Sequence, residues 1–213
     1  DFHFRARVLA HQDPVALLDF HRDALALIVH LARAHRNYAY EAKKAGLEDW
    51  EGICREHGKI GMQLAEKAIA LDPERPEGYY YYGLSVGIYS DGVSILTALR
   101  EGLKNKTQAS FEKAYALDKT YNHGGPMLSL GRFWTVLPWP MQDKEKALAY
   151  LREYQASPYF ANSAEARVYL AELLLEIGGE AEKAEARQLL SQAAGHPDAY
   201  YARWAQRLLD ENK

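Results

Sequence analysis

The sequence has a single cysteine, Cys54, among 213 residues. An intrachain disulfide is therefore excluded, and a cysteine-based metal site would lack ligands. No apolar run approaches the roughly 20 residues that cross a membrane as a helix, so we expect no transmembrane segment. Neither sign of charge dominates, because 26 basic and 29 acidic residues give a formal net charge of -3. Without a clustered basic surface, the sequence does not indicate nucleic-acid binding.

Signatures of catalysis and of metal binding are also missing from the sequence. The eight histidines are scattered and form no His-Glu-x-x-His or two-Cys-two-His pattern. No Gly-x-Ser-x-Gly turn occurs. The segment from His123 to Pro126 favours a turn and a helix start over a phosphate loop, which would also need a lysine and a hydroxyl residue. We therefore predict no catalytic residue, no metal and no cofactor, and a protein that is not an enzyme.

The sequence is rich in helical periodicity. Apolar residues recur at steps of three and four, and no segment alternates as a half-buried strand would. We expect Asp13 to cap the first helix, Asp91-Gly92 to interrupt the third, and residues 137–140 to be extended before their prolines. The fold class is predicted to be all-α, with helices at about 14–45, 48–71, 77–89, 93–103, 107–117, 127–136, 144–154, 163–177, 182–194 and 198–211.

A stop between helices returns about every 40 residues. It occurs at Ala70 to Pro73, Ala116 to Lys119, Ala156 to Pro158 and Gly195 to Pro197. Such repetition is typical of a solenoid, in which neighbouring units stack to bury their apolar sides. We predict a single domain over 1–213 that consists of an N-terminal hairpin (13–72), a repeat with an inserted helix (76–119), two further repeats (124–158 and 162–197) and a capping helix (198–211).

The segment from Glu77 to Gly83, with four consecutive tyrosines, resembles the first helix of a tetratricopeptide repeat. Gly83, Gly131 and Ala171 stand where that family needs a small residue between paired helices. The family's second small position is matched by Ala68, Ala114 and Ala193, and its closing proline by Pro73. The resemblance covers about residues 48–198. It implies a right-handed superhelix of helical hairpins that binds another protein in a concave groove.

A narrower resemblance rests on the order of several short segments. The tyrosine-rich repeat and inserted helix are followed by Tyr121 to Pro126, Leu130 to Arg132, Pro138 to Pro140 and Asp143 to Ala147. This order is similar to that of the T-component proteins of TRAP transporters, which are periplasmic, often lipid-anchored helical-repeat proteins. The resemblance implies an accessory lipoprotein whose partner is the substrate-binding subunit of a transporter. Because the chain begins with Asp1 rather than Met, we expect an upstream segment to have been removed and favour the periplasm over the cytoplasm.

The repeat resemblance implies which side chains face the groove. They are Tyr80, Leu84 and Ile88 in the first full repeat, Leu128, Arg132 and Thr135 in the next, and Glu172 and Leu175 in the third. Within the tyrosine run, Tyr79 and Tyr82 are expected to pack inside. Tyrosine combines a large apolar ring with a hydroxyl and suits binding surfaces, but simple core packing of the whole run is the alternative.

Arg132 and Trp139 each allow two interpretations. The Arg132 guanidinium could bind a carboxylate of a ligand or peptide in bidentate geometry, or it could form an ion pair within the chain. Trp139, which stands between two prolines, is predicted to be an aromatic plug. Such a plug would either cap the core from outside or close one end of a cavity.

Two functions follow from these features. The first is a scaffold that docks another protein through the groove and the inserted helix. The alternative is a chamber, lined by Tyr and Trp, in which Arg132 holds a small organic anion. The inserted helix at about 93–103 is also a candidate contact between copies of this chain.

Overall fold

The computed structural model describes the backbone of residues 14–212 and the side chains of residues 19–212. The predicted Asp13 cap lies outside this part. The all-α prediction is confirmed, because ten α-helices and one 3-10 turn account for the regular structure from residue 14 to 212, where no strand occurs. The helices are α1 (Pro14–Ala45), α2 (Trp50–Leu71), α3 (Pro76–Val93), α4 (Ile95–Arg100), α5 (Leu103–Asp118), α6 (Tyr121–Val136), α7 (Lys144–Gln155), α8 (Ala164–Ile177), α9 (Glu180–Ala194) and α10 (Ala199–Glu211).

Several helix ends follow the local signals in the sequence. Gly46 adopts φ +64° and terminates α1, as expected of glycine in the left-handed region. The side chains of Asp143 and Ser163 accept hydrogen bonds from Lys146 N (3.0 Å) and Ala166 N (3.1 Å), which caps α7 and α8. Asp198 caps α10 in the same way through the backbone N–H groups of residues 200 and 201.

The predicted break at Asp91-Gly92 is wrong, because α3 continues to Val93. Gly92 is needed for packing instead: a Cβ there would lie 2.5 Å from the Arg55 backbone nitrogen of α2. The helix ends at Ser94, whose φ is +96°. The segment 137–140 is extended at Leu137, but a turn follows, closed by a 2.8 Å hydrogen bond from Met141 N to Pro138 O.

The chain divides into two compact units, Asp1–Leu117 and Asp118–Lys213. In the described part of the first, α1, α2 and α3 pack on one another. Glycines let these helices approach: a Cβ on Gly58 would lie 2.6 Å from the Tyr89 backbone nitrogen, and one on Gly83 would overlap the Phe111 ring of α5. The single domain predicted over the whole chain stays a prediction.

The second unit contains α6 to α10, and each of these helices packs on the next. Helices α6 and α7 are in close contact at Gly131 and Leu151, and α10 packs on both α9 and α8. Its core is built mainly of leucine, with Leu130, Leu151, Leu170, Leu173, Leu174 and Leu190 fully buried. Among the described helices, none combines the length and apolar character that crossing a membrane requires.

Candidate protein-docking site

The three residues predicted to face the groove in the first full repeat lie in or near the core of the first unit. Tyr80 is 5% exposed and Ile88 is 3% exposed, whereas Leu84 is half-buried. Tyr81 and Tyr82 are buried as well. Three of the four tyrosines are therefore core residues, as in the core alternative, whereas Tyr79 is half-buried.

Arg132 of α6 and Glu172 of α8, both predicted to face the groove, contact each other. The Arg132 guanidinium donates to the Glu172 carboxylate and stacks over the Tyr169 ring, 4.5 Å from guanidinium carbon to ring centroid. Burial is the largest single influence and acts to lower the pKa of Arg132, but the combined effects of Tyr169, Glu172 and Tyr201 outweigh it and raise the pKa. Arg132 is therefore a cation that is already paired within the chain.

An aromatic cluster surrounds this ion pair, and sequence reasoning missed it. Trp204 of α10 lies 5.3 Å from the Arg132 guanidinium carbon, and its ring is nearly parallel to that of Tyr201, at 13°. Tyr169 meets the Trp204 ring edge-on, with centroids 5.8 Å apart. The helical spacing of Tyr201 and Trp204 places both on one side of α10, and this spacing is the sequence signal from which the cluster could have been predicted. These rings are packed around the Arg132 guanidinium.

The remaining groove residues are buried or half-buried. Thr135 is 5% exposed, and its hydroxyl donates to the Gly131 carbonyl at 2.9 Å. Leu128 and Leu175 are half-buried. Of the second and third sets, the structure thus brings together only Arg132 and Glu172 as direct partners.

Trp139 is the most exposed large hydrophobic residue in the described part of the chain, at 88%. It follows Leu137, which is buried at 5% and anchors the loop. An indole with this exposure does not cover the core formed by residues 19–212 and does not close a cavity within it. Trp139 is therefore not the predicted aromatic plug. The ring stands out from the loop between α6 and α7.

Polar contacts hold this loop against the end of α8. Gln142 Nε2 donates to the Thr135 carbonyl at 2.8 Å and to a Glu176 carboxylate oxygen at 3.1 Å. Lys144 Nζ donates to the Glu176 backbone carbonyl at 3.0 Å. The C-terminal ends of α6 and α8 and the loop therefore lie next to one another.

Two further apolar side chains are exposed at these helix ends. Val136 ends α6 and Ile177 ends α8, and each is 39% exposed. We call the set of Val136, Trp139 and Ile177, bordered by Gln142, Lys144 and Glu176, the Trp139 surface. Sequence reasoning missed Val136 and Ile177, although both occupy the last turn of the first helix in successive repeats.

No three histidine, cysteine, aspartate or glutamate side chains of the described residues lie close enough together to hold a metal ion. Comparison with protein-family models and with curated proteins gives no match.

Proposed function

We propose that this chain is a non-enzymatic helical-repeat scaffold that binds another protein at the Trp139 surface. The observation that carries the proposal is the 88% exposure of Trp139 between Pro138 and Pro140. Tryptophan is enriched among the residues that dominate binding energy at protein interfaces. Proline restricts the backbone on both sides of the indole, so less conformational entropy is lost when a partner binds.

The composition of the Trp139 surface also supports protein binding. Val136, Trp139 and Ile177 are exposed apolar residues, and the polar residues Gln142, Lys144 and Glu176 lie beside them, as interfaces generally combine both kinds. Lys144 and Glu176 already form an ion pair at 3.4 Å. A partner would therefore bury apolar area without leaving either charge unpaired.

The finer architecture that we propose is a superhelix of the tetratricopeptide type. It is supported by the order of contacts, because each helix of the second unit packs on the next, and α1, α2 and α3 of the first unit pack on one another. It is also supported by Gly83 and Gly131, which lie at close helix contacts with Phe111 and Leu151, where that family places small residues.

The candidate partner is the substrate-binding subunit of a TRAP-type transporter, and the chain would then be its periplasmic, lipid-anchored accessory. The segments that resemble the T-component proteins run from Tyr121 to Ala147 and include the Trp139 loop. An organic anion, by contrast, would have to displace the Glu172 carboxylate from Arg132. Protein binding is therefore the function that we propose.

The test is a photo-crosslinking amino acid placed at position 139 of the full chain. A matched control carries it at position 188, where Gln188 is exposed on α9. Both proteins are incubated with an extract of the source organism and with its purified transporter substrate-binding subunits. We expect a protein adduct at 139 that is absent at 188, and an affinity for the purified partner that falls about 30-fold in Trp139→Ala. Equal adducts at both positions, or an unchanged affinity, would overturn the proposal.

A further inference from the structure

His35 of α1 and His57 of α2 meet through their Nδ1 atoms. The two nitrogens are 2.8 Å apart, and the ring centroids are 4.9 Å apart. A hydrogen bond of this length needs one proton between the nitrogens, so one ring donates and the other accepts. The Tyr38 ring packs against His57, with centroids 4.7 Å apart. The pair thus links two helices through a bond that depends on how many protons it carries.

The number of protons on the two imidazole rings determines whether the bond between His35 and His57 can form. In the neutral pair, one Nδ1–H points at the lone pair of the other Nδ1. A first additional proton goes to an Nε2 atom, and the bond between His35 and His57 is kept. A second additional proton would place N–H groups on both Nδ1 atoms, which would then face each other as two like charges. The doubly protonated pair must therefore separate.

The charged groups next to the pair lie on α1 and α2. Burial lowers the pKa of His35, and so does the neighbouring His57, while Glu56 of α2 acts to raise it. On α1, the Arg36 guanidinium carbon lies 4.3 Å from the Tyr40 ring centroid, and Arg36 donates to the neighbouring Asn37 side chain.

The charged side chains of α3 are engaged elsewhere. Its carboxylates are Glu77 and Asp91, of which Glu77 binds Arg75 and Asp91 lies 2.7 Å from Lys43 Nζ. Glu56 is thus the carboxylate that acts on His35, and it only partly opposes the effects of burial and of His57.

Small residues make α1 sensitive to the pair. From residue 19 onward, the buried apolar residues of α1 are Leu25, Ala32, Ala39 and Ala42, so three of the four are alanines. Burying an alanine stabilises a contact far less than burying a leucine, because the apolar area is small. The hydrogen bond between His35 and His57 therefore adds to a contact in which the fully buried apolar side chains of α1 are small.

We propose that His35 and His57 form a proton-operated clamp that holds α1 on α2 at neutral pH and opens on acidification, when the pair takes up its second additional proton. The pKa of His35 in the folded chain lies below the ordinary value of 6.5. Its contribution to stability is therefore fully present above about pH 6.5 and is lost as the pH falls. This inference is independent of what binds at the Trp139 surface.

The test is hydrogen exchange of the full chain, followed by mass spectrometry and expressed as protection factors at about pH 7.5 and about pH 5. Between these values, peptides that cover residues 30–45 of the wild type should lose protection by about threefold or more. His57→Gln should show much less dependence on pH, because glutamine cannot take up the second proton. His30→Gln is the matched control: His30 is exposed on α1, outside the pair, and its variant should behave like the wild type.

The outcomes that contradict the clamp are clear. If the wild-type peptides keep the same protection at both pH values, or if His57→Gln retains the full wild-type response, the proposal is wrong. Should His57→Gln fail to fold at neutral pH by circular dichroism, His35→Gln replaces it in the same comparison. The wild-type measurement decides against the clamp by itself if no change occurs.

Discussion

Gly131 of α6 lies so close to Leu151 of α7 that a Cβ atom on Gly131 would be 2.6 Å from Leu151 Cγ. Leu151 is 1% exposed and cannot move away without disturbing the core. Because Gly131 has no side chain, α6 and α7 can approach each other this closely.

Gly131→Ala should destabilise the protein by about 1–3 kcal/mol, because overpacking a close-packed contact forces neighbours to shift. Gly87→Ala is the matched control: Gly87 is also within a helix but is exposed, and nothing lies within 4 Å of its added Cβ. This variant should be stabilised by about 0.5–1 kcal/mol from helix propensity alone. Thermal unfolding followed by circular dichroism measures both, and equal effects would refute the close contact.

Arg132→Ala should cost about 1–3 kcal/mol, because it leaves the half-buried Glu172 carboxylate without its cation. Arg132→Lys should recover little of that loss, since an ammonium group cannot stack over Tyr169 as the planar guanidinium does. Urea unfolding can be followed by tryptophan fluorescence. Of the four tryptophans, Trp134, Trp139 and Trp204 belong to the second unit, so the signal reports mainly on it.

The double variant Arg132→Ala with Glu172→Ala separates the ion pair from other effects. It should be less destabilised than the sum of the two single variants predicts. Arg203→Ala, on the exposed side of α10, is the control and should change stability by less than about 0.5 kcal/mol. Strictly additive losses would show that Arg132 and Glu172 do not interact.

The free energy of unfolding should fall in acid partly because of Glu185. The Arg152 guanidinium donates to both carboxylate oxygens of Glu185 and lowers its pKa below the ordinary 4.5. A lowered pKa stabilises the fold above about pH 4.5, and this contribution is lost as the pH falls further. Glu185→Gln should therefore be less stable at neutral pH, by at most about 1 kcal/mol for a pair so close to solvent.

The dependence on pH distinguishes this pair from an exposed one. Urea unfolding between about pH 5 and pH 3 should show a shallower loss of stability in Glu185→Gln than in the wild type. Glu211→Gln is the comparison, because Glu211 lies 3.9 Å from Arg207 and both side chains are exposed. That variant should follow the wild-type curve, and identical curves for all three proteins would contradict the prediction.

Cys54 should be unreactive in the folded protein. Its side chain is fully buried, and burial raises the pKa of its thiol to about 11. Iodoacetamide at about pH 8 requires a thiolate and access to it. We expect negligible alkylation in the native state and complete alkylation in denaturant, measured by mass spectrometry. Rapid native modification would mean that the contacts of Cys54 with Ala39 and Ile88 are absent in solution.

Local chemistry made most of the helices predictable from the sequence. The bounds of α1 follow from Pro14 and Gly46, and the starts of α7 and α10 follow from Asp143 and Asp198, because proline, glycine and capping side chains act on their own backbone. The wrong prediction at Gly92 has a cause that is not local in the sequence. Its glycine serves a contact with α2, and such a contact lies far away in the sequence.

The site residues were predicted less well, because exposure depends on the neighbours that a helix acquires. The repeat resemblance placed Arg132 and Glu172 on the same side of their repeats, and the two do meet. It could not show that Tyr169 and Trp204 would enclose Arg132.

The sequence by itself determined an all-helical chain and the positions of most helix ends, because these depend on residues within a few places of one another. Only the tertiary structure decided that Tyr80 and Ile88 are core residues, that Trp139 is exposed, and that His35 meets His57. Those outcomes depend on which helix packs on which, and 22 residues separate the two histidines along the chain. Periodicity identifies the sides of a helix, whereas packing decides which of them remains in contact with water.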